Sequence, residues 1–148
     1  ISIKSFVNKK FGKFDLRAFK SKLDGSVNFA ITKGKIKSSK PIRVRVISVK
    51  LPGNFINLQS NIMKSSLEYL CKYNNFALIL IKNQNIILKK NKAITNNTLR
   101  YYGTGAQIIK DLKIKNMILV SRSRKKIIGL DGYGIKITKQ EIIKWKKY

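Results

Sequence analysis

The chain has 148 residues, with 33 Lys and Arg against 6 Asp and Glu, a formal net charge of +27, one cysteine and no histidine. That length fits one domain with a real core, and no apolar run approaches membrane-spanning length. The inventory excludes an intramolecular disulfide, a His/Cys zinc site built from one protomer and histidine-based acid–base or Ser–His–Asp chemistry; Asp15, Asp24, Glu68, Asp111, Asp131 and Glu141 are too few for a carboxylate-rich magnesium cage.

In chain order, Ile1 to Lys10 reads as a lead-in segment. Charged residues interrupt each early apolar run, so no signal-peptide pattern forms. The chain does not begin with Met, and the expectation is a fragment, a processed chain or one domain of a longer protein. Phe11 to Lys20 alternates, with Phe14, Leu16 and Ala18 set against Asp15, Arg17 and Phe19, which predicts a strand. Asp24–Gly25 is a turn signal, and Val27 to Thr32 is the returning strand of a hairpin. Gly34 to Pro41 is a polar connection. Ile42 to Val49 predicts a third strand, with Ile42, Val44, Val46 and Ser48 on one face and Arg43, Arg45, Ile47 and Val49 on the other.

Leu51–Pro52–Gly53–Asn54 is a turn. From Asn61 to Tyr73 the period becomes helical, with Met63, Leu67, Leu70 and Cys71 on one face. Cys71 is then most simply a core residue, because free cysteine behaves as a small hydrophobe. Phe76 to Ile81 is a buried-strand candidate, and Asn83 to Asn97 is an Asn/Lys-rich loop.

The stretch from Leu99 to Gly134 is the densest in signals. Gly103 and Gly105 give the backbone freedom ahead of a helix over residues 104–112, and Thr104 with Gln107 has capping-box spacing. Met117 to Val120 is a strand, Ser121 to Lys126 a basic loop, and Gly129, Gly132 and Gly134 punctuate a turn. Strand, basic loop and helix start are the parts of a phosphate site. The same pattern also describes an ordinary αβ unit with a solvated loop. A strand follows over residues 134–137, and Thr138 with Glu141 repeats the capping box before a short C-terminal helix ending in Lys146 and Lys147. Early strands followed by alternating helix and strand predict a single α+β domain, a mixed β-sheet flanked by helices.

The charge points to a polyanion partner. Lysine is spread along the whole chain, however, and greatly outnumbers Arg, beside abundant Ile and Asn. A/T-rich codons give the same excess by drift, so a nucleic-acid-binding module is kept as an alternative and is not favoured.

Several blocks resemble the GTP cyclohydrolase II family. Leu99-Arg100-Tyr101-Tyr102-Gly103-Thr104-Gly105-Ala106-Gln107-Ile108 is similar to that family's D-x-R-x-Y-G-x-G-A-Q-I block, and Gly129-Leu130-Asp131-Gly132-Tyr133-Gly134 to its G-L-E-G-Y-G block. Phe11-Gly12-Lys13-Phe14 resembles F-G-x-F, Pro41-Ile42-Arg43-Val44-Arg45-Val46 resembles P-V-L-V-R-V, and Leu51-Pro52-Gly53-Asn54 resembles L-T-G-D. The blocks keep the family's order and nearly cover the chain, residues 1–148.

The resemblance implies a zinc ion held by three cysteines in a C-x₁₀-C-x-C arrangement. Lys50, Asn61 and Met63 stand at the matching positions, and Ile47 stands where a histidine is expected. None supplies a thiolate, so no metal and no cofactor are expected. The family's R-Q-E-G-R-G-I-G base-reading segment is replaced by Lys82-Asn83-Gln84-Asn85-Ile86-Ile87 and a shortened connection. Arg100 matches the family's nucleophile on the α-phosphate, while the acidic proton acceptor two positions earlier is Thr98. The T-N-N-P-K-K loop becomes Ser121-Arg122-Ser123-Arg124-Lys125-Lys126, in which Ser121 and Lys125 keep the hydroxyl and the phosphate-facing cation.

The family domain often forms the C-terminal half of a protein whose N-terminal half is 3,4-dihydroxy-2-butanone 4-phosphate synthase. The expectation is therefore a catalytically inactive, cytoplasmic cyclohydrolase II-like domain of riboflavin biosynthesis. It would be a structural, dimerising or regulatory partner of such a synthase half, itself a homodimer, with residual binding of GTP or another polyphosphate at Ser121 and Lys125 beside the vestigial Arg100. The alternatives are an active GTP cyclohydrolase II, releasing formate and diphosphate, and the polyanion-binding module.

Overall fold

The computed structural model describes residues 2–8, 12–20, 25, 27–36, 40–49, 61–82, 104–122 and 133–143. Among them, seven strands form one mixed sheet. β1 (Ser2–Asn8), β2 (Gly12–Lys20) and β3 (Val27–Lys33) pair antiparallel in succession. β4 (Ile42–Val49), β5 (Phe76–Lys82), β6 (Asn116–Ser121) and β7 (Lys136–Ile142) run parallel to one another, and β5 joins the halves by pairing antiparallel with β3. The order across the sheet is β1-β2-β3-β5-β4-β6-β7. Helix α1 (Asn61–Leu70) connects β4 to β5, and helix α2, residues 104–111, leads into β6.

The sheet is covered on both faces, and strand alternation assigns the residues. Phe76, Leu78 and Leu80 of β5 join Ile47, Phe14 and Val120 in one apolar cluster with Met63, Leu67 and Leu70 of α1. Ala77, Ile79 and Ile81 point the other way and join Ile42, Val44, Met117 and Leu119 with Ala106, Ile108, Ile109 and Leu112 of α2 and its C-terminal end. The two helices therefore lie on opposite faces. A central strand buried on both sides must be apolar throughout, which is why Phe76 to Ile81 reads as a continuous run. Phe14 stacks edge-on to Phe76, ring centroids 6.0 Å apart, and ties the antiparallel half to the α1 layer.

The α+β mixed sheet flanked by helices is the architecture expected. Three local expectations change. The lead-in segment over residues 1–10 contains β1, paired residue by residue with β2 from Ser2↔Ala18 to Asn8↔Gly12. The second capping box does not start a helix: Thr138 and Glu141 lie inside β7. Thr138 is the extra residue of a bulge, because Met117 pairs with Ile137 and Ile118 with Lys139, and its hydroxyl donates to the Met117 carbonyl at 3.2 Å. Cys71 follows the end of α1 half-buried, packed at the fringe of the α1-side cluster rather than inside it; burial pushes its thiol pKa up, and nearby Lys33 opposes that. The turn over residues 51–54 and the loop over residues 83–97 lie outside the described residues.

Gly34, at φ +72°, ends β3 where the Asn74 carbonyl oxygen comes against its Cα. A Cβ there has no room, so the close crossing from β3 to the start of β5 depends on glycine.

Candidate functional site

β4 places Arg43, Arg45 and Ile47 on the α1 face of the sheet, and the two arginines meet different fates. Arg45 is buried at 4% exposure. Its Nε donates to Ser66 Oγ at 2.8 Å and its Nη1 reaches the Val120 carbonyl at 3.5 Å. Ser66, itself fully buried on α1, donates its own proton to the Ile62 carbonyl at 2.6 Å and so offers Arg45 a lone pair. A hydroxyl and a carbonyl are both neutral acceptors. Burial, followed by the positive charge of Arg122, pushes the Arg45 pKa down to about 10. Arg122, which follows the end of β6, thus brings a second positive charge near the buried Arg45.

Arg43 instead finds a carboxylate. Its Nε donates to Glu141 Oε1 at 2.8 Å and its Nη2 to Oε2 at 3.1 Å, a two-pronged bridge from β4 to β7. Tyr69 of α1 donates its hydroxyl to the same Oε1 at 2.8 Å, and the Arg43 guanidinium carbon lies 3.4 Å from the centre of the Tyr73 ring. Lys139 Nζ stands 3.6 Å from the carboxylate. The hydrogen bond from Arg43 is the largest influence on Glu141 and holds its pKa below the ordinary 4.5, against the effect of burial. Burial works to discharge Arg43, but its hydrogen bond and Coulomb attraction to Glu141 outweigh it and the pKa rises. The Tyr69 pKa is raised, first by burial and then by its bond to Glu141.

Of the residues that the sequence points to, Ser121 closes β6, is buried, and its carbonyl accepts from the Ile143 amide at 2.8 Å. Arg122 follows it, exposed. Carboxyl ends of parallel strands are where such folds hold ligands. Arg100, Lys125, Lys50 and Thr98 lie outside the described residues. The helix from residue 104 forms, and the Gln107 amide donates forward to Asp111 Oδ1 at 3.1 Å. Sequence patterning does not point to Arg45 and Ser66. The one signal for them is the strict alternation of β4, which puts Arg45 on the same face as Ile47.

The donors present decide whether the zinc of the resembled family has a place here. Asn61 opens α1. Met63 is 1% exposed and packs with Ile47, the expected histidine position, inside one apolar cluster. A thioether and an alkyl chain in such surroundings do not suit zinc, which takes thiolate, imidazole or carboxylate. Among the described residues no group of three or more Cys, Asp or Glu comes together to hold a metal. The donors do not fit the ion.

The family model for GTP cyclohydrolase II matches residues 2–141. The riboflavin biosynthesis protein RibBA of Chlorobium phaeovibrioides is 28% identical over 163 residues, covering 94% of this chain and 40% of that protein. The 3,4-dihydroxy-2-butanone 4-phosphate synthase of Photobacterium phosphoreum is 27% identical over 144 residues, covering 88% of this chain and 40% of that protein. The fold resembles RibBX, a two-domain 3,4-dihydroxy-2-butanone 4-phosphate synthase from A. baumannii, with a TM-score of 0.61 at 20% identity over 99% of this chain and 40% of the other. The chain spans about 40% of the length of these relatives. Among the described residues no helix is long and apolar enough to cross a membrane.

Proposed function

The chain belongs to the GTP cyclohydrolase II family, and from that membership we propose that it is a cyclohydrolase-fold domain of riboflavin biosynthesis that does not run the cyclohydrolase reaction. Its role is to support, dimerise or regulate a 3,4-dihydroxy-2-butanone 4-phosphate synthase half in the cytoplasm. The observation that carries this reading is the burial of Met63 and Ile47 in one apolar cluster: two positions that the resemblance assigns to the metal's surroundings are packed as core. With one cysteine and no histidine in the chain, no set of cysteines and histidines replaces them. The kind of relatives matched supports the synthase partner, since one of them is itself named for the synthase.

The phosphate end of the site is reduced but not emptied. Ser121, Arg122 and the buried Arg45 sit at the close of β6, and Arg100 and Lys125 are the sequence's further contributions. The buried Arg45 guanidinium, bonded to the Val120 carbonyl, adds positive charge behind this end of β6 and suits it to an anion held without turnover. A Ser121 hydroxyl and a guanidinium bind and orient an anion; they do not generate the water nucleophile that a thiolate-held zinc supplies.

The test is metal content. The chain, purified from cells grown with added zinc and dialysed, is expected to carry far less than one zinc per chain by mass spectrometry. One zinc retained per chain overturns the reading. The supporting role is read by light scattering of the chain with and without a butanone phosphate synthase domain. A joint complex is expected, and two independent species contradict that part.

A further inference from the structure

We infer that the sheet edge formed by the amino ends of β4 to β7 is a docking surface for the phosphodiester backbone of a nucleic acid, opposite the end that carries Ser121 and Arg122. The topology gathers lysines there from distant parts of the sequence. β4, β5, β6 and β7 are parallel, so their amino ends share one edge, and the antiparallel β3 brings its carboxyl end to the same place. Exposed lysines stand at the ends of four of these five strands: Lys35 after β3, Lys40 before β4, Lys113 and Lys115 before β6, and Lys136 opening β7. Backbone hydrogen bonds fix their proximity. The Lys136 amide donates to the Lys115 carbonyl at 2.8 Å, and the Lys113 amide to the Lys110 carbonyl at 2.9 Å. Asn75, at the start of β5, donates through Nδ2 to the Lys35 carbonyl at 3.2 Å.

A helix dipole accounts for part of this row only. Lys113 and Lys115 follow the carboxyl end of α2, where cations are favoured. Lys35 follows strand β3 rather than a helix, so the dipole of α2 does not account for it, and Lys40 and Lys136 belong to other strands of the same edge. The segment from residue 104 to 122 carries one acid, Asp111, and its carboxylate accepts from Gln107. Strands about 4.8 Å apart give a row of roughly 19 Å across five strands, the length of about five or six base-pair steps.

The chemistry selects the backbone rather than the bases. Each described cation on the edge is lysine, a compact charge on a flexible stem, with no arginine fork for base edges. It also disfavours a lipid surface, where anchoring needs apolar side chains beside the charges. Among the described residues Ile142 is the exposed large hydrophobic, and it lies at the opposite end of β7.

The experiment compares two triple variants of equal charge. One replaces edge lysines (Lys113→Gln, Lys115→Gln, Lys136→Gln). The other replaces Lys20→Gln at the far end of β2, Lys64→Gln in the first turn of α1 and Lys139→Gln, which pairs with Glu141. Binding to a mixed-sequence DNA duplex of about 20 base pairs is followed by anisotropy between roughly 50 and 200 mM salt. Thermal melts confirm that both variants fold. The edge variant is expected to bind at least about tenfold more weakly, with its log–log salt slope shallower by about 2 to 3, while the control keeps the parent's slope. Equal losses in both variants overturn the inference, because the charge then acts as a smear over the whole surface. It is also overturned if phosphatidylserine vesicles bind the chain more tightly than the duplex does and the edge variant loses that binding.

Discussion

Arg43 grips both oxygens of Glu141, Nε to Oε1 at 2.8 Å and Nη2 to Oε2 at 3.1 Å, across 98 residues of sequence. The bridge crosses over β6, which lies between β4 and β7 in the sheet, and Tyr69 ties the same carboxylate to α1. One carboxylate thus fastens the edge strand, a central strand and a covering helix.

Glu141→Gln is expected to lower stability by about 2 kcal/mol, a fall in melting temperature of roughly 5 °C, because both arginine contacts and the tyrosine contact lose their charged acceptor. The pH dependence follows from the depressed Glu141 pKa. A carboxyl whose pKa is lower folded than unfolded stabilises the fold above its unfolded value and stops doing so as pH falls through its folded value. Urea midpoints should therefore drop from about the ordinary 4.5 downward, and Glu141→Gln should flatten that part of the profile.

Arg45 gives the opposite expectation. Its charge is buried against a hydroxyl and a carbonyl, and a second cation acts on it. Arg45→Met keeps the length and removes the burial cost, so stability should stay level or rise, up to about 2 kcal/mol. Ser66→Ala leaves the guanidinium without its best acceptor and should cost about 1 to 3 kcal/mol. Urea unfolding of the two variants checks the pair; a destabilised Arg45→Met with an unaffected Ser66→Ala contradicts this expectation.

Two glycines with nearly the same backbone angle separate strain from space. Gly25 has φ +71° and open space within 4 Å of where a Cβ would stand, whereas Gly34 at φ +72° faces the Asn74 carbonyl. Gly25→Ala should cost about 1 kcal/mol, the left-handed backbone alone. Gly34→Ala should cost about 3 kcal/mol or more, since backbone must move as well. Equal costs, measured by urea unfolding, would show that the β3-to-β5 crossing is looser than its geometry indicates.

The sequence is most legible where one periodicity has one cause. Ile42 to Val49 splits into two faces because both faces of β4 are covered, and Met63, Leu67 and Leu70 share a helical side because α1 lies flat on the sheet. It is least legible where a local motif has two uses. Thr138 and Glu141 have the spacing of a helix start, but a Thr hydroxyl that caps also satisfies the carbonyl of a bulge, and a Glu that caps also answers an arginine on another strand. β1 is hidden in the sequence because its definition comes from its register with β2 rather than from its own residues. Arg45 is hidden because burial of an arginine is decided by what packs over it. At the metal region residue types alone rule out the thiolates, and the structure adds that Met63 and Ile47 are core.

Central to the proposal is a family fold kept without its chemistry. Formate release from GTP, measured with the purified chain supplied with zinc and magnesium, tests it most directly. No formate above a protein-free blank is expected at any zinc concentration; sustained, protein-dependent formate release that a chelator abolishes would contradict it.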